Sequence, residues 1–150
     1  MSAFFDLINT YRNNSKTERE KGTYFEQLCI KFFENEPYYA TLFIKVETYT
    51  EWAKQQGLTG KDTGIDLVAT DKDGGFWAIQ CKLYAEDRTV SKKDIDSFIA
   101  AASKTYFSQR IIVSTTYNWS QNALDILENQ DPQVIKIDLH TLENSTIDWE

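Results

Sequence analysis

Two amphipathic helical segments, three strand-like segments in a row, and then alternating helices and strands predict an α/β sandwich around a central mixed β-sheet. Two stretches carry most of this reading. In SKTEREKGTYFEQLCIKFFENEP, Phe25, Leu28, Cys29, Phe32 and Phe33 fall at i, i+3, i+4, i+7 and i+8, the stripe of a core-facing helix. IDLVAT and FWAIQCK, joined through DKDGG, read as two paired strands.

The remaining elements follow in order. SAFFDLINTYRNN is a short amphipathic helix ending at an Asn-Asn-Ser turn signal. The long second helix starts at a capping box, Ser15 with Glu18 or Thr23 with Glu26, and Pro37 fixes its end. ATLFIKVETYT is expected to be a strand, EWAKQQ a helical turn and GLTGKDTG a loop. After the strand pair, SKKDIDSFIAAASKTYF is a helix capped by Ser91 and Asp94, and QRIIVST a buried strand. NWSQNALDILENQ is a helix, and QVIKIDL a last strand before a polar tail. The chain shows no repeat or linker, and residues 1–150 are expected to form one domain, continued in a longer chain beyond NSTIDWE.

Composition narrows the function classes. A net charge of −7 argues against a surface that grips nucleic acid all over. The charge is uneven, however. Between Lys82 and Arg110 the basic residues Lys82, Arg88, Lys92, Lys93, Lys104 and Arg110 outnumber Glu86, Asp87, Asp94 and Asp96, which allows a local basic patch. No apolar run is long enough to span a membrane, no secretion signal opens the chain, and Cys29 and Cys81 read as reduced thiols, so a cytoplasmic location without membrane partners is expected. A single histidine leaves a zinc site few ligands.

GLTGKD imitates a phosphate loop but fails it. Gln55 stands where the first glycine is needed, Asp62 follows Lys61, and a strand rather than a helix comes next. Cys81 has no histidine near it in sequence and shares a strand face with Trp77 and Ile79, as a core thiol does.

Asp66, Gln80 and Lys82 are harder to dismiss. Gln80 and Lys82 are two apart, so on a strand they leave the same face. Asp66 offers a carboxylate, Gln80 an amide oxygen, the Cys81 carbonyl a third oxygen and Lys82 a positive charge. Phosphodiester hydrolysis needs such a hard-oxygen site for a divalent cation with a cation beside it. The competing reading is an exposed polar strand face. Glu26 also has two readings: a capping or solvated helix residue, or a second carboxylate reaching in from the helix rim. Register decides whether the site can assemble. A two-residue turn at Asp73-Gly74 would oppose Asp66 to Cys81, whereas a three-residue loop, Asp73-Gly74-Gly75, opposes it to Lys82 and Val68 to Gln80. The two glycines favour the longer loop, with all three side chains on one face.

The ordered series GTYFEQLCIKFF, GIDLVAT, AIQCKLY, DIDSFI, RIIVSTTYNWSQNALDIL and VIKIDL resembles the Mrr-like branch of the PD-(D/E)xK nucleases, in particular the N-terminal nuclease domain of single-chain type ISP restriction-modification enzymes and helicase-nuclease proteins. The resemblance covers nearly the whole chain, including the closing IDW, and implies a restriction-endonuclease-like fold. It makes Asp66 the metal-binding aspartate, Gln80 the residue most such nucleases carry as Glu or Asp, Lys82 the family lysine and Glu26 the helix glutamate. Ile65 stands in place of the motif's proline.

The implied function is a Mg2+-dependent DNA endonuclease domain without sequence preference of its own, with Mn2+ as a substitute metal. Its implied partners are double-stranded DNA and, in one prokaryotic chain, a helicase-like ATPase, a methyltransferase and a target-recognition domain. Gln80 in place of a carboxylate removes one negative charge and is expected to weaken metal binding. Two alternatives remain: a stand-alone repair or junction nuclease, and an inactive nuclease fold used for DNA binding or docking.

Overall fold

The computed structural model describes residues 3–14, 17–58, 64–85, 87–103 and 107–145. The chain opens with three helices, α1 (Ala3–Asn14), α2 (Glu18–Asn35) and α3 (Pro37–Leu42). Strand β1 (Phe43–Thr48) leads through α4 (Tyr49–Gln55) to the pair β2 (Leu67–Asp71) and β3 (Phe76–Lys82). Then follow β4 (Thr89–Val90), α5 (Lys92–Ala102), β5 (Phe107–Ser114), β6 (Asn118–Trp119), α6 (Gln121–Glu128), β7 (Ile135–Ile137) and α7 (Leu139–Glu143).

Five strands form the main sheet in the order β1-β2-β3-β5-β7. β1, β2 and β3 are antiparallel neighbours, while β3, β5 and β7 run parallel, so the sheet is mixed as expected. Each face buries its own core. One packs Phe25, Leu28, Phe32 and Phe33 of α2 on Leu67, Trp77, Ile79 and Ile111; the other packs Ile95 and Phe98 of α5 and Trp52 of α4 on Val68, Ala78 and Ile112. The sheet is therefore the middle layer of a sandwich.

Several sequence expectations need correction. α2 is capped by Thr17, whose hydroxyl accepts the Glu20 amide, so Glu26 sits well inside the helix and is not the capping partner of Thr23. Pro37 ends α2 and also opens α3 at its first turn, where a missing N–H costs nothing, so β1 starts at Phe43 rather than Ala40. The short parallel pair β4/β6 and the helix α7 were not expected. Ser91 and Asp94 do form the expected capping box. Most of the loop expected over GLTGKDTG, Lys104 and the closing IDW lie outside the described residues.

The β2–β3 connection is a three-residue loop, but one residue earlier than expected. Asp71 pairs with Gly75 through its amide (2.9 Å), enclosing Lys72, Asp73 and Gly74. The Asp71 carboxylate fixes this choice by accepting the amides of Asp73 (2.9 Å) and Gly75 (2.8 Å) and the Trp77 indole N–H (2.9 Å). The Trp77 bond, with those backbone amides, holds the Asp71 carboxyl below its ordinary value. Gly74 takes φ +86°, which glycine adopts without strain, and a Cβ on Gly75 would come 2.9 Å from the Asp71 carboxylate and displace it.

Candidate active site

With the loop shifted, Leu67 faces Ile79 and Val68 faces Ala78. Gln80 is therefore not opposite Val68, and the register continued past Leu67 would set Asp66 against Gln80 rather than Lys82. Leu67 and Ile79 pack towards α2, Val68 and Ala78 towards α5, so the two-residue period sends Gln80 and Lys82 to the α5 side.

Asp66 departs from this alternation. Ile65 and Val68 pack in the same core although three apart, and the Asp66 amide bonds the Ile79 carbonyl at 2.9 Å. Its carboxylate lies along the edge of β3, where Oδ2 accepts the Cys81 amide at 2.7 Å. Gln80 and Lys82 thus share a face, while Asp66 reaches the backbone between them from the strand edge. The N–H and C=O of one residue leave an extended strand on the same edge, so the Cys81 carbonyl points to the side that Asp66 occupies.

Gln80 is 5% exposed, and its Nε2 donates to the Gly64 carbonyl at 3.0 Å. A carbonyl can only accept, so this contact fixes which end of the amide is nitrogen. Oε1 is then turned the other way, buried, with no hydrogen-bond partner among the described residues. A buried oxygen without a donor costs about 1–3 kcal/mol. Gly64 itself has φ +88°, and a Cβ there would lie 3.2 Å from the Ser97 carbonyl carbon and 3.3 Å from the Phe98 nitrogen. Neither Gly64 nor its bond to Gln80 was singled out in the sequence; the glycine just before Ile65-Asp66 was the available signal.

Glu26 approaches from the other face. It stands one turn before Cys29 on α2, and Cys29 and Cys81 pack in the same core. Burial pushes the Cys81 thiol well up, and its neighbour Cys29 and the charges of Asp66 and Glu26 push it further, which favours the protonated thiol.

Lys82 borders a polar cluster. Its Nζ is 5.9 Å from the centre of the Tyr84 ring, and the Arg88 guanidinium stacks on that ring at 3.9 Å. Arg88 also bonds Asp94 at 3.0 Å. Burial opposes ionisation of Asp94, but the Ser91 amide and hydroxyl and the charges of Arg88 and Lys82 outweigh it and hold the carboxyl below its ordinary value. Thr115 fastens this segment to β5: its hydroxyl donates to the Tyr84 carbonyl (2.6 Å) and accepts the Tyr84 amide (2.7 Å), and its amide donates to the Lys82 carbonyl (3.2 Å). Ser114, paired with Lys82 across the parallel ladder, is fully buried, and its hydroxyl has no partner among the described residues. At the end of an apolar strand, nothing in the sequence marked it.

The basic patch is weaker than the residue count suggested. Arg110 is 5% exposed and donates inward to Pro132 (2.7 Å) and Gln130 (3.2 Å), while Lys92 pairs with Asp96 at 3.1 Å.

Residues 34–150 match a family model described as restriction endonuclease, the Mrr-type catalytic domain. The chain belongs to the Mrr-like restriction endonuclease family. Its fold is similar to part of the ATP-dependent type ISP restriction-modification enzyme LlaBIII, solved bound to DNA, with a TM-score of 0.76, 33% identity and 95% of this chain covered. The match spans only 9% of that enzyme's length. The MspJI restriction endonuclease, in complex with a 27-mer oligonucleotide, matches at TM-score 0.41 and 16% identity over 86% of this chain and 32% of its own, too loosely to bear on the site. No curated protein matches the chain.

The site's donors suit a hard cation. Among the described residues no group of three or more His, Cys, Asp or Glu could hold a metal, so a site here depends on amide and backbone oxygens as well. Asp66, the buried Oε1 of Gln80 and the Cys81 carbonyl are all oxygen donors, the set that Mg2+ accepts, and Oε1 is an acceptor in want of a partner.

Proposed function

We propose that this chain is a Mg2+-dependent DNA endonuclease domain that hydrolyses phosphodiesters without sequence preference of its own. The observation that carries the reading is the buried, unpartnered Gln80 Oε1 on the strand end where Asp66 accepts the neighbouring Cys81 amide. A bound divalent cation supplies an activated water and relieves charge on the phosphate. Asp66, Gln80 and the Cys81 carbonyl would hold it, with Glu26 adding negative charge from α2. Lys82, on the same strand face as Gln80, would orient the water and offset charge building on the phosphoryl group.

The domain would work within a longer restriction-modification or helicase-nuclease chain whose other parts choose and deliver the DNA. The net charge of −7 and the locally paired Arg88 and Lys92 support delivery by other domains. A plasmid assay tests the activity. Supercoiled DNA at low salt is expected to be nicked in Mg2+, to stay intact in EDTA, and to be protected as salt rises. Nicking that persists in EDTA, or its complete absence at every salt and metal concentration, would reject the proposal.

A further inference from the structure

Resting on the metal site just proposed, we infer that Gly64 is a positioning residue: its carbonyl latches the Gln80 amide and keeps the site assembled before a metal arrives. The contact is specific to an amide. One end of Gln80 donates to Gly64 at 3.0 Å while the other presents an oxygen inward, two roles that a carboxylate cannot fill together.

A glutamate of the same shape would set an oxygen against the Gly64 carbonyl oxygen. It would also add a second carboxylate next to Asp66, which sits on the Cys81 amide at the strand edge. Lys82 on the same face would offset part of this, but its charge is already shared with Asp94 of α5. The latch is rigid from the other side as well, because Gly64 has φ +88° and lies tight against the Ser97–Phe98 backbone of α5. Gln80 thus gives up one charge towards the metal, and in return the oxygen donors stay in place without it.

Melting curves in EDTA and in saturating Mg2+ test the latch. In EDTA the wild type and Gln80→Met, which loses the bond to Gly64 but also the unpartnered oxygen, are both expected to melt above Gln80→Glu, which is lower by several degrees, on the order of 5 °C. Gln80→Met removes the hydrogen bond without adding charge, so it separates the lost bond from repulsion. In Mg2+ the Gln80→Glu variant is expected to gain more than the wild type and close the gap, because the metal supplies what the latch no longer does. Gln80→Glu melting at or above the wild type in EDTA would overturn the latch. If the EDTA order holds but Mg2+ shifts none of the three, the latch stands and the nuclease reading falls.

Discussion

Replacing Asp66 or Lys82 by alanine is expected to abolish plasmid cleavage, by roughly 10³-fold or more, as befits a lost metal ligand or a lost cation beside the phosphate. The two should fail differently. Asp66 accepts the Cys81 amide at 2.7 Å, so Asp66→Ala also leaves a half-buried N–H without that partner and should lower the melting temperature by a few degrees. Asp66→Asn keeps an acceptor for the amide and should restore stability but not cleavage. Lys82 is partly exposed at the strand end, and its alanine variant should melt close to the wild type. Either alanine variant nicking DNA at near wild-type rate would remove that residue from the site.

The second large effect is expected at Gly64. Alanine at φ +88° costs about 1–2 kcal/mol, and its Cβ would press on backbone atoms of α5 at 3.2–3.3 Å, which cannot swing aside. Overpacking of this kind adds about 1–3 kcal/mol. Together they should lower the melting temperature by on the order of 5–10 °C. Cleavage measured well below the melt should still fall several-fold, because any shift of the Gly64 carbonyl moves the Gln80 oxygen with it. A stable Gly64→Ala variant with full cleavage would show that neither the turn nor the latch matters to the site.

The layout was legible because most of its signals are local. The Phe25–Phe33 stripe, the Ser91–Asp94 cap and the alternating runs Leu67–Asp71 and Phe76–Lys82 each lie within one element, and all appear in the fold. What was missed depends on partners distant in sequence, or on two signals competing. The β2–β3 loop slipped by one residue because the Asp71 carboxylate, gathering Gly75 and Trp77, outweighs the count of glycines. Pro37 carries two signals at once, ending α2 and opening α3, and only the first is local to the α2 stripe.

At the site, Gln80 and Lys82 could be placed on one face from their spacing. Asp66 could not, because the break in alternation next to Gly64 becomes visible only through the Ile65 packing and the Cys81 amide. The Gln80–Gly64 bond spans 16 residues, and Ser114 meets Lys82 only through strand pairing, so neither leaves a pattern in the sequence.

The most direct measurement is a crystal structure of the chain soaked in Mn2+, read by anomalous scattering. A single peak bounded by the Asp66 carboxylate, Gln80 Oε1 and the Cys81 carbonyl, at hard-cation distances of about 2.0–2.3 Å, is the expected result. No peak there at saturating Mn2+, or a peak elsewhere while Gln80 Oε1 stays unliganded, would contradict the assignment of this strand end as the metal site of a nuclease.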